Sequence, residues 1–249
     1  MSDIERYTKE YLKNYEEQSF ELHLIAARRR QVLKSLHAHP HGNILEVGCG
    51  LEPLFLHIGD YISFTVIEPS AEFVERAKDL SSGRPNVTVV QGRLGETVLR
   101  PAEGRTFDFI VLSSVLHEVP DPARLLQAVH RISGPDTTTH INVPNVYSFH
   151  RLLALEMGLI DSIFDRSQTE ARFQRHTRFD MPSLIRLVED QGFHVMSSGT
   201  YVVKPFSNEQ MDQILRHGIV DAKVIEGLER MIRYLPEMGS EMYVEVRPA

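Results

Sequence analysis

Hydrophobic positions over the first part of the chain recur at helical spacing and then give way to short apolar runs. Across residues 3–36, polar side chains are interleaved with Tyr7, Tyr11, Tyr15, Leu22, Leu24, Ile25, Val32 and Leu36, a spacing that predicts helix. Tyr7, Tyr11 and Tyr15 are four apart and share one face. They form either a packing stripe or a lid over a pocket, because tyrosine joins a flat apolar body to a polar tip. HAHPHGN (37–43) ends this helix. Strand and helix then alternate. Strands are predicted at 43–47, 64–68, 86–90, 107–112 and 138–143, with helices beginning at 54–58 and spanning 71–80 and 122–132. The run 107–112 is apolar but for Asp108, as in a strand covered on both faces. This rhythm predicts a parallel sheet with helices on both sides. Residues 145–179 interrupt it as a mostly helical insertion over the carboxyl edge of the sheet, with an apolar piece at 152–160 and a charged piece at 165–178. A helix at 181–191, a strand at 193–198, helix over 208–234 and an alternating strand at 242–246 complete the pattern.

The 249 residues suit one large α/β domain or a domain with a small appendage. A composition of 42% hydrophobic and 24% charged residues permits a core of normal size. The net charge of −7 argues against nucleic acid as the partner, since phosphate binding needs a basic face. The basic run Arg28-Arg29-Arg30 reads as the wet face of a helix. One cysteine excludes an intrachain disulfide, and neither a signal-like segment nor an apolar run of membrane-spanning length is visible, so the cytoplasm is the expected location. His37, His39 and His41 alternate without a second ligand cluster or a His-Glu-x-x-His pattern, and they read as a solvent loop rather than a metal site.

The first strand ends in Glu46-Val47-Gly48-Cys49-Gly50, where the glycines permit positive φ and let the backbone approach a ligand closely. The second ends in Glu68-Pro69. An acidic residue there can accept hydrogen bonds from both hydroxyls of a ribose, which implies a nucleoside-containing ligand at the carboxyl edge of the sheet. A nicotinamide dinucleotide, and with it an oxidoreductase, is one candidate. Its Gly-x-Gly-x-x-Gly fingerprint fails at Pro53, and Glu52 puts negative charge where two phosphates would lie. S-adenosylmethionine is the other. It has no phosphate and carries a positive sulfonium, so an acidic loop suits it. A buried carboxylate is costly unless paired, and Glu52 is therefore expected to have a cation or donor nearby.

Taken together, ILEVGCG (44–50), TVIEPS (65–70), VTVVQGRL (87–94), FDFIVLSSVLHEVPDP (107–122) and EMYVEV (241–246) resemble a class I S-adenosylmethionine-dependent methyltransferase of the small-molecule type. The resemblance implies an α/β, Rossmann-like fold: a seven-stranded, mostly parallel sheet with an antiparallel last strand. It also implies an N-terminal helical cap over 1–42, a methyltransferase domain over 43–249, and a helical lid insertion after strand five at about 145–180. Glu46, Gly48, Cys49 and Gly50 would face the amino acid end of the cofactor. Glu68 would hold the ribose with Pro69 beside the adenine, Gly92, Arg93 and Leu94 would border the adenine, and Ser113 and Ser114 would line the floor. The family often has an acidic residue where this chain has Arg93, which leaves the backbone to meet the adenine amino group. Its third loop glycine is Glu52 here. The implied cofactor is S-adenosyl-L-methionine, giving S-adenosyl-L-homocysteine, with no metal. A cofactor-binding protein without catalysis stands as a third class beside methyltransferase and oxidoreductase.

Methyl transfer is an in-line displacement that needs the nucleophile about 3 Å from the methyl carbon, and a protonated nucleophile needs a base. His117 follows the fourth strand, where it is either that base or a structural histidine. Glu52 leaves the first loop on the same edge and is expected to orient the imidazole, with Tyr15 from the lid completing a Tyr-Glu-His cluster. Such a cluster suits a phenol or an indole N–H, with methylation at O, N or C. Tyr11, His150, Arg151 and His176 are candidate substrate contacts, with ordinary helix-surface residues as the alternative. The expected partner is a small-molecule acceptor of secondary metabolism, with no nucleic acid and no membrane, and the protein itself is expected to be a monomer or homodimer.

Overall fold

The computed structural model describes residues 4–6, 8–9, 11–12, 19–96, 107–165 and 177–249. Seven strands form one sheet: β1 (Asn43–Val47), β2 (Ser63–Glu68), β3 (Val87–Gln91), β4 (Phe107–Ser113), β5 (Ser133–Pro144), β6 (Phe193–Tyr201) and β7 (Glu241–Pro248). Their order is β3-β2-β1-β4-β5-β7-β6. β7 runs antiparallel to both β5 and β6, and the remaining pairs are parallel. Helices among the described residues include α1 (Ser19–His37), α2 (Ala71–Leu80), α3 (Pro122–Ile132), α4 (Phe149–Glu156), α5 (Met181–Asp190), α6 (Asn208–Arg216) and α7 (Ala222–Arg230).

Alternation along the central strands sends side chains into two apolar layers. Leu45, Val47, Ile110, Leu112, Ile141 and Val143 pack under Leu125, Leu126 and Val129 of α3 and Leu184 and Val188 of α5. Ile44, Phe64, Val66, Phe109 and Val111 pack on the opposite face with Val32 and Leu36 of α1. The amino half of α1 buries Phe20, Leu24 and Ala27 against Val202, Met211 and Ile225. Capping fixes where helices start: Asp121 accepts from the Arg124 N–H at 2.9 Å ahead of α3, and Asp180 forms a capping box ahead of α5.

Several elements depart from the pattern expected of the sequence. The helix expected at 54–58 is a single 3₁₀ turn, Leu54–Leu56. The helix expected over 208–234 is broken into α6, α7 and a 3₁₀ turn, because Gly218 turns left-handed (φ 65°) and Asp221 caps a new start. Among the described residues of the insertion, helix covers α4 and is followed by turns through 165. The rest of its charged piece lies outside the described residues.

The three arginines of α1 do not share a wet face. Successive helical residues are rotated by about 100°, so a run of three sweeps most of the circumference. Arg28 donates to Glu21 Oε1 (2.9 Å) and Glu241 Oε1 (2.7 Å), Arg29 pairs with Glu52, and Arg30 reaches Glu229 Oε1 at 2.6 Å. Three ion pairs to β7, the first glycine loop and α7 hold α1 across the carboxyl edge of the sheet.

Candidate active site

A cavity of about 740 Å³ opens where β1 is flanked by β2 and β4, the switch in strand order at which open α/β sheets bind ligands. The loop after β1 forms its floor. Gly48 (φ 75°) and Gly50 (φ 55°) are both left-handed. A Cβ at Gly48 would stand 2.8 Å from Val115 Cγ2, and one at Gly50 would stand 3.2 Å from the Tyr11 hydroxyl. Only glycine fits here without strain.

Two buried carboxyls flank this loop. Both oxygens of Glu46 accept from the Leu54 N–H, at 3.0 and 3.2 Å. Burial pushes Glu46 up to about 8; the Leu54 N–H opposes the rise, the Glu68 charge adds to it, and Arg29 opposes it. Glu68 accepts from the Ser70 N–H (2.8 Å) and the Cys49 N–H (3.1 Å), which partly offset the upward push of its own burial. Burial, reinforced by Glu46 and Glu68, drives the Cys49 thiol far up, so it is a packed neutral group rather than a nucleophile. Because the 3₁₀ turn after the loop gives its first N–H to Glu46, no helix N-terminus stands there to receive a pyrophosphate.

Pro69 and Ser70 continue the rim, and Gly92, Arg93 and Leu94 line it beyond β3. The Gly92 N–H bonds the Glu68 carbonyl at 3.0 Å. Thr8, which the sequence did not single out, is buried and donates to Ser70 Oγ at 2.9 Å. Tyr11 meets the edge of Phe73 with ring centroids 5.5 Å apart and lies over Gly50. It therefore covers the glycine loop and also lines the cavity. Tyr15 and His176 lie outside the described residues.

Ser113 ends β4, Ser114 follows it, and both line the cavity. Ser114 has φ 59°, an uncommon conformation for a residue with a Cβ, and its N–H is held by the Asn142 carbonyl at 3.0 Å. His117 lines the same cavity and is 3% exposed, with its carbonyl accepting from the Thr177 N–H at 3.3 Å. The carboxylate beside its imidazole is Glu118, 3.7 Å from Nε2. The expected Glu52–His117 partnership is not formed: Glu52 pairs with Arg29 and lies 4.0 Å from His57 Nε2. The reason is that α1 brings a guanidinium to Glu52, whereas Glu118 adjoins the histidine in sequence.

His150 and Arg151, expected as substrate contacts, do not line the cavity. His150 Nδ1 is 3.1 Å from Ser148 Oγ, and burial, with the charges of Lys204 and Arg151, holds it well below its ordinary range. Arg151 donates to the Ile163 and Asp165 carbonyls at 2.8 and 2.5 Å and so braces the turn after α4. The far end of the cavity is instead made by Glu21, Ile25 and Arg28 of α1 with Asn208 of α6. Asn208 donates to Glu21 Oε2 at 2.9 Å and is also bonded by Lys204. Behind Arg28, Asn142 donates to the Tyr201 hydroxyl at 3.0 Å, and burial with the Glu241 charge holds that phenol protonated. The one sign of this wall in the sequence was the arginine triplet, which no single helix face can accommodate.

A methyltransferase domain profile matches residues 15–198. The demethylmenaquinone methyltransferase of Staphylococcus haemolyticus is 25% identical over 190 residues, which cover 71% of this chain and 77% of that protein. Among solved structures, an S-adenosylmethionine-dependent methyltransferase from Thermotoga maritima superposes with a TM-score of 0.62 at 17% identity, over 98% of this chain and 96% of the other. The N-methyltransferase NodS from Bradyrhizobium japonicum, in complex with S-adenosyl-L-homocysteine, gives 0.55 at 13% identity, over 93% and 89%. At these identities the two superpositions speak for the fold.

Proposed function

Because the chain belongs to the methyltransferase domain family and is an S-adenosylmethionine-dependent enzyme, we propose that it methylates a small ring acceptor carrying a weakly acidic hydroxyl or N–H, with His117 as the base. The residues suit this cofactor. A left-handed glycine loop crowded at Gly48, two buried carboxyls and, directly after the loop, a 3₁₀ turn whose first N–H is already taken by Glu46 favour a cationic, phosphate-free nucleoside. In this proposal Glu46 holds the cofactor's ammonium, Glu68 its ribose hydroxyls, and Gly92, Arg93 and Leu94 border the adenine. When bound, the cofactor supplies a methyl group made electrophilic by its sulfonium.

The observation that carries the acceptor chemistry is His117: buried, on the same cavity as Glu46 and Glu68, and beside a carboxylate. Its imidazole takes the acceptor's proton, and Glu118 stabilises the imidazolium that forms. Ser113 and Ser114 make the floor on which the acceptor lies. At the far end, Arg28 stands between two carboxylates, Glu21 and Glu241. That arrangement favours a neutral hydrogen-bonding group and opposes an acceptor that carries its own carboxylate. A cavity of about 740 Å³ is within the span of small-molecule sites, and the Staphylococcus relative is named for a quinone acceptor.

The test is methyl transfer to a panel of phenols, indoles and quinols, comparing the wild type with His117→Asn. Loss of about 10² in kcat with S-adenosylhomocysteine affinity unchanged supports the base. Turnover within threefold of wild type, with flat pH dependence in both proteins, would remove His117 from the chemistry.

A further inference from the structure

We propose that Arg29 is the receptor for the cofactor's α-carboxylate, and that Glu52 occupies Arg29 as an internal stand-in for that carboxylate when the cofactor is absent; this presupposes that the cavity takes S-adenosylmethionine.

The amino acid end of that cofactor is a zwitterion and needs both an acid and a base from the protein. Glu46 answers the ammonium. A carboxylate brought beside Glu52, Glu68 and a Glu46 that ionises as the ammonium binds would be repelled unless a cation stood among them. Arg29 is that cation by position: it lines the cavity along with Glu46 and Glu52, it is bonded to Glu52, and its charge acts on the buried Glu46 carboxyl. The other cationic side chains on the wall stand on other elements or already have carboxylate partners. Arg28 is gripped by Glu21 and Glu241, Arg93 follows β3 at the adenine border, and Arg124 stands in the first turn of α3. Arg6 enters from the amino-terminal segment, two residues before the Thr8 that is bonded to Ser70.

Glu52 explains itself on the same grounds. It replaces a loop glycine of the family pattern and projects a carboxylate to the rim, where its side chain is 37% exposed and that of Arg29 is 22%. An exchange of one carboxylate for another keeps the charge and hydrogen bonding of Arg29 unchanged, so the guanidinium is never left bare. A second basic group waits for the displaced Glu52: His57 Nε2 lies 4.0 Å from its carboxylate. Burial and the Arg29 charge now depress His57, with Glu52 opposing. Because Arg29 adjoins Arg28 on α1, the helix that reads the cofactor's carboxylate also forms the acceptor wall.

The experiment compares two ligands by isothermal titration calorimetry: S-adenosylhomocysteine and its decarboxylated amine analogue, which keeps the adenosine, sulfur and ammonium. Arg29→Gln is expected to weaken S-adenosylhomocysteine by roughly tenfold to a hundredfold, the worth of a charge-assisted hydrogen bond, and to leave the analogue within about twofold. Glu52→Gln is expected to tighten S-adenosylhomocysteine several-fold, since a competitor is removed, and to leave the analogue unchanged. Both variants break the same ion pair, so a merely structural role would move them in the same direction. Equal weakening of both ligands by Arg29→Gln, unchanged S-adenosylhomocysteine binding in that variant, or weaker S-adenosylhomocysteine binding in Glu52→Gln would each overturn the proposal while leaving the cofactor assignment intact. Failure of the wild type to bind either ligand would overturn the cofactor assignment itself.

Discussion

Replacing Glu46 by Gln is expected to stabilise the ligand-free protein at alkaline pH while removing its hold on the cofactor. Glu46 is 6% exposed and its two oxygens share one donor, the Leu54 N–H. Burial moves its carboxyl from an ordinary 4.5 to about 8. The folded state therefore keeps a proton that the unfolded chain has already released between those values. Its contribution to stability is fully present below pH 4.5, falls as pH rises, and is lost by about pH 8. The span corresponds to a loss of up to about 5 kcal/mol. Glutamine has no such proton, and other titrating groups cancel between the two proteins. Between pH 5 and pH 9 the difference in stability should thus shift by several kcal/mol in favour of the variant. For a chain of this size each kcal/mol moves Tm by about 2–4 °C. The measurement is thermal and urea unfolding of both proteins across that range. A difference in Tm that shifts toward the variant by at least about 5 °C is expected, and one that stays constant with pH would refute the assigned protonation. With saturating S-adenosylhomocysteine the order reverses, because only the wild type gains the mass-action stabilisation of a bound ligand.

Gly48→Ala should cost roughly 1–3 kcal/mol in urea unfolding and abolish calorimetric cofactor binding, because φ 75° and a Cβ 2.8 Å from Val115 must both be accommodated. Arg28→Met leaves Glu241, 3% exposed, buried beside no guanidinium, and should lower stability by about 3–5 kcal/mol at neutral pH. The double variant Arg28→Met/Glu241→Gln should recover part of that loss, and a strictly additive double-mutant cycle would contradict the pair. Loss of turnover in His117→Asn, with cofactor affinity retained, should be matched by a smaller loss in Glu118→Gln, read as kcat against pH.

Much of the frame was legible along the chain because its causes are local or averaged over a segment. Strands covered on both faces are largely apolar, and β4 shows this at 107–112, where Asp108 alone is polar and accepts from the Asn43 N–H. The caps at Ser70 and Asp121 are set by residues within three positions of the bond they make. Gly48, Gly50 and Glu68 were recognisable because a left-handed turn and a strand-end carboxyl are demands of one short segment. The break in the helix expected over 208–234 was also written in Gly218 and Asp221, but helix periodicity on either side hid it.

What the sequence by itself determined, then, is the alternation of strands and helices, the glycine loop after β1 and the methyltransferase class. Only the tertiary structure decided which charges meet there. Arg29 and Glu52 are 23 residues apart and Arg28 and Glu241 are 213 apart, and no periodicity links such pairs. The same folding set Tyr11 over the glycine loop, bound His150 to Ser148 and Arg151 to the turn after α4, and gave His117 Glu118 in place of Glu52. The physical reason is one element: α1 lies across the edge of the sheet, and its arginines choose their carboxylates by direction around the helix, not by distance along the chain.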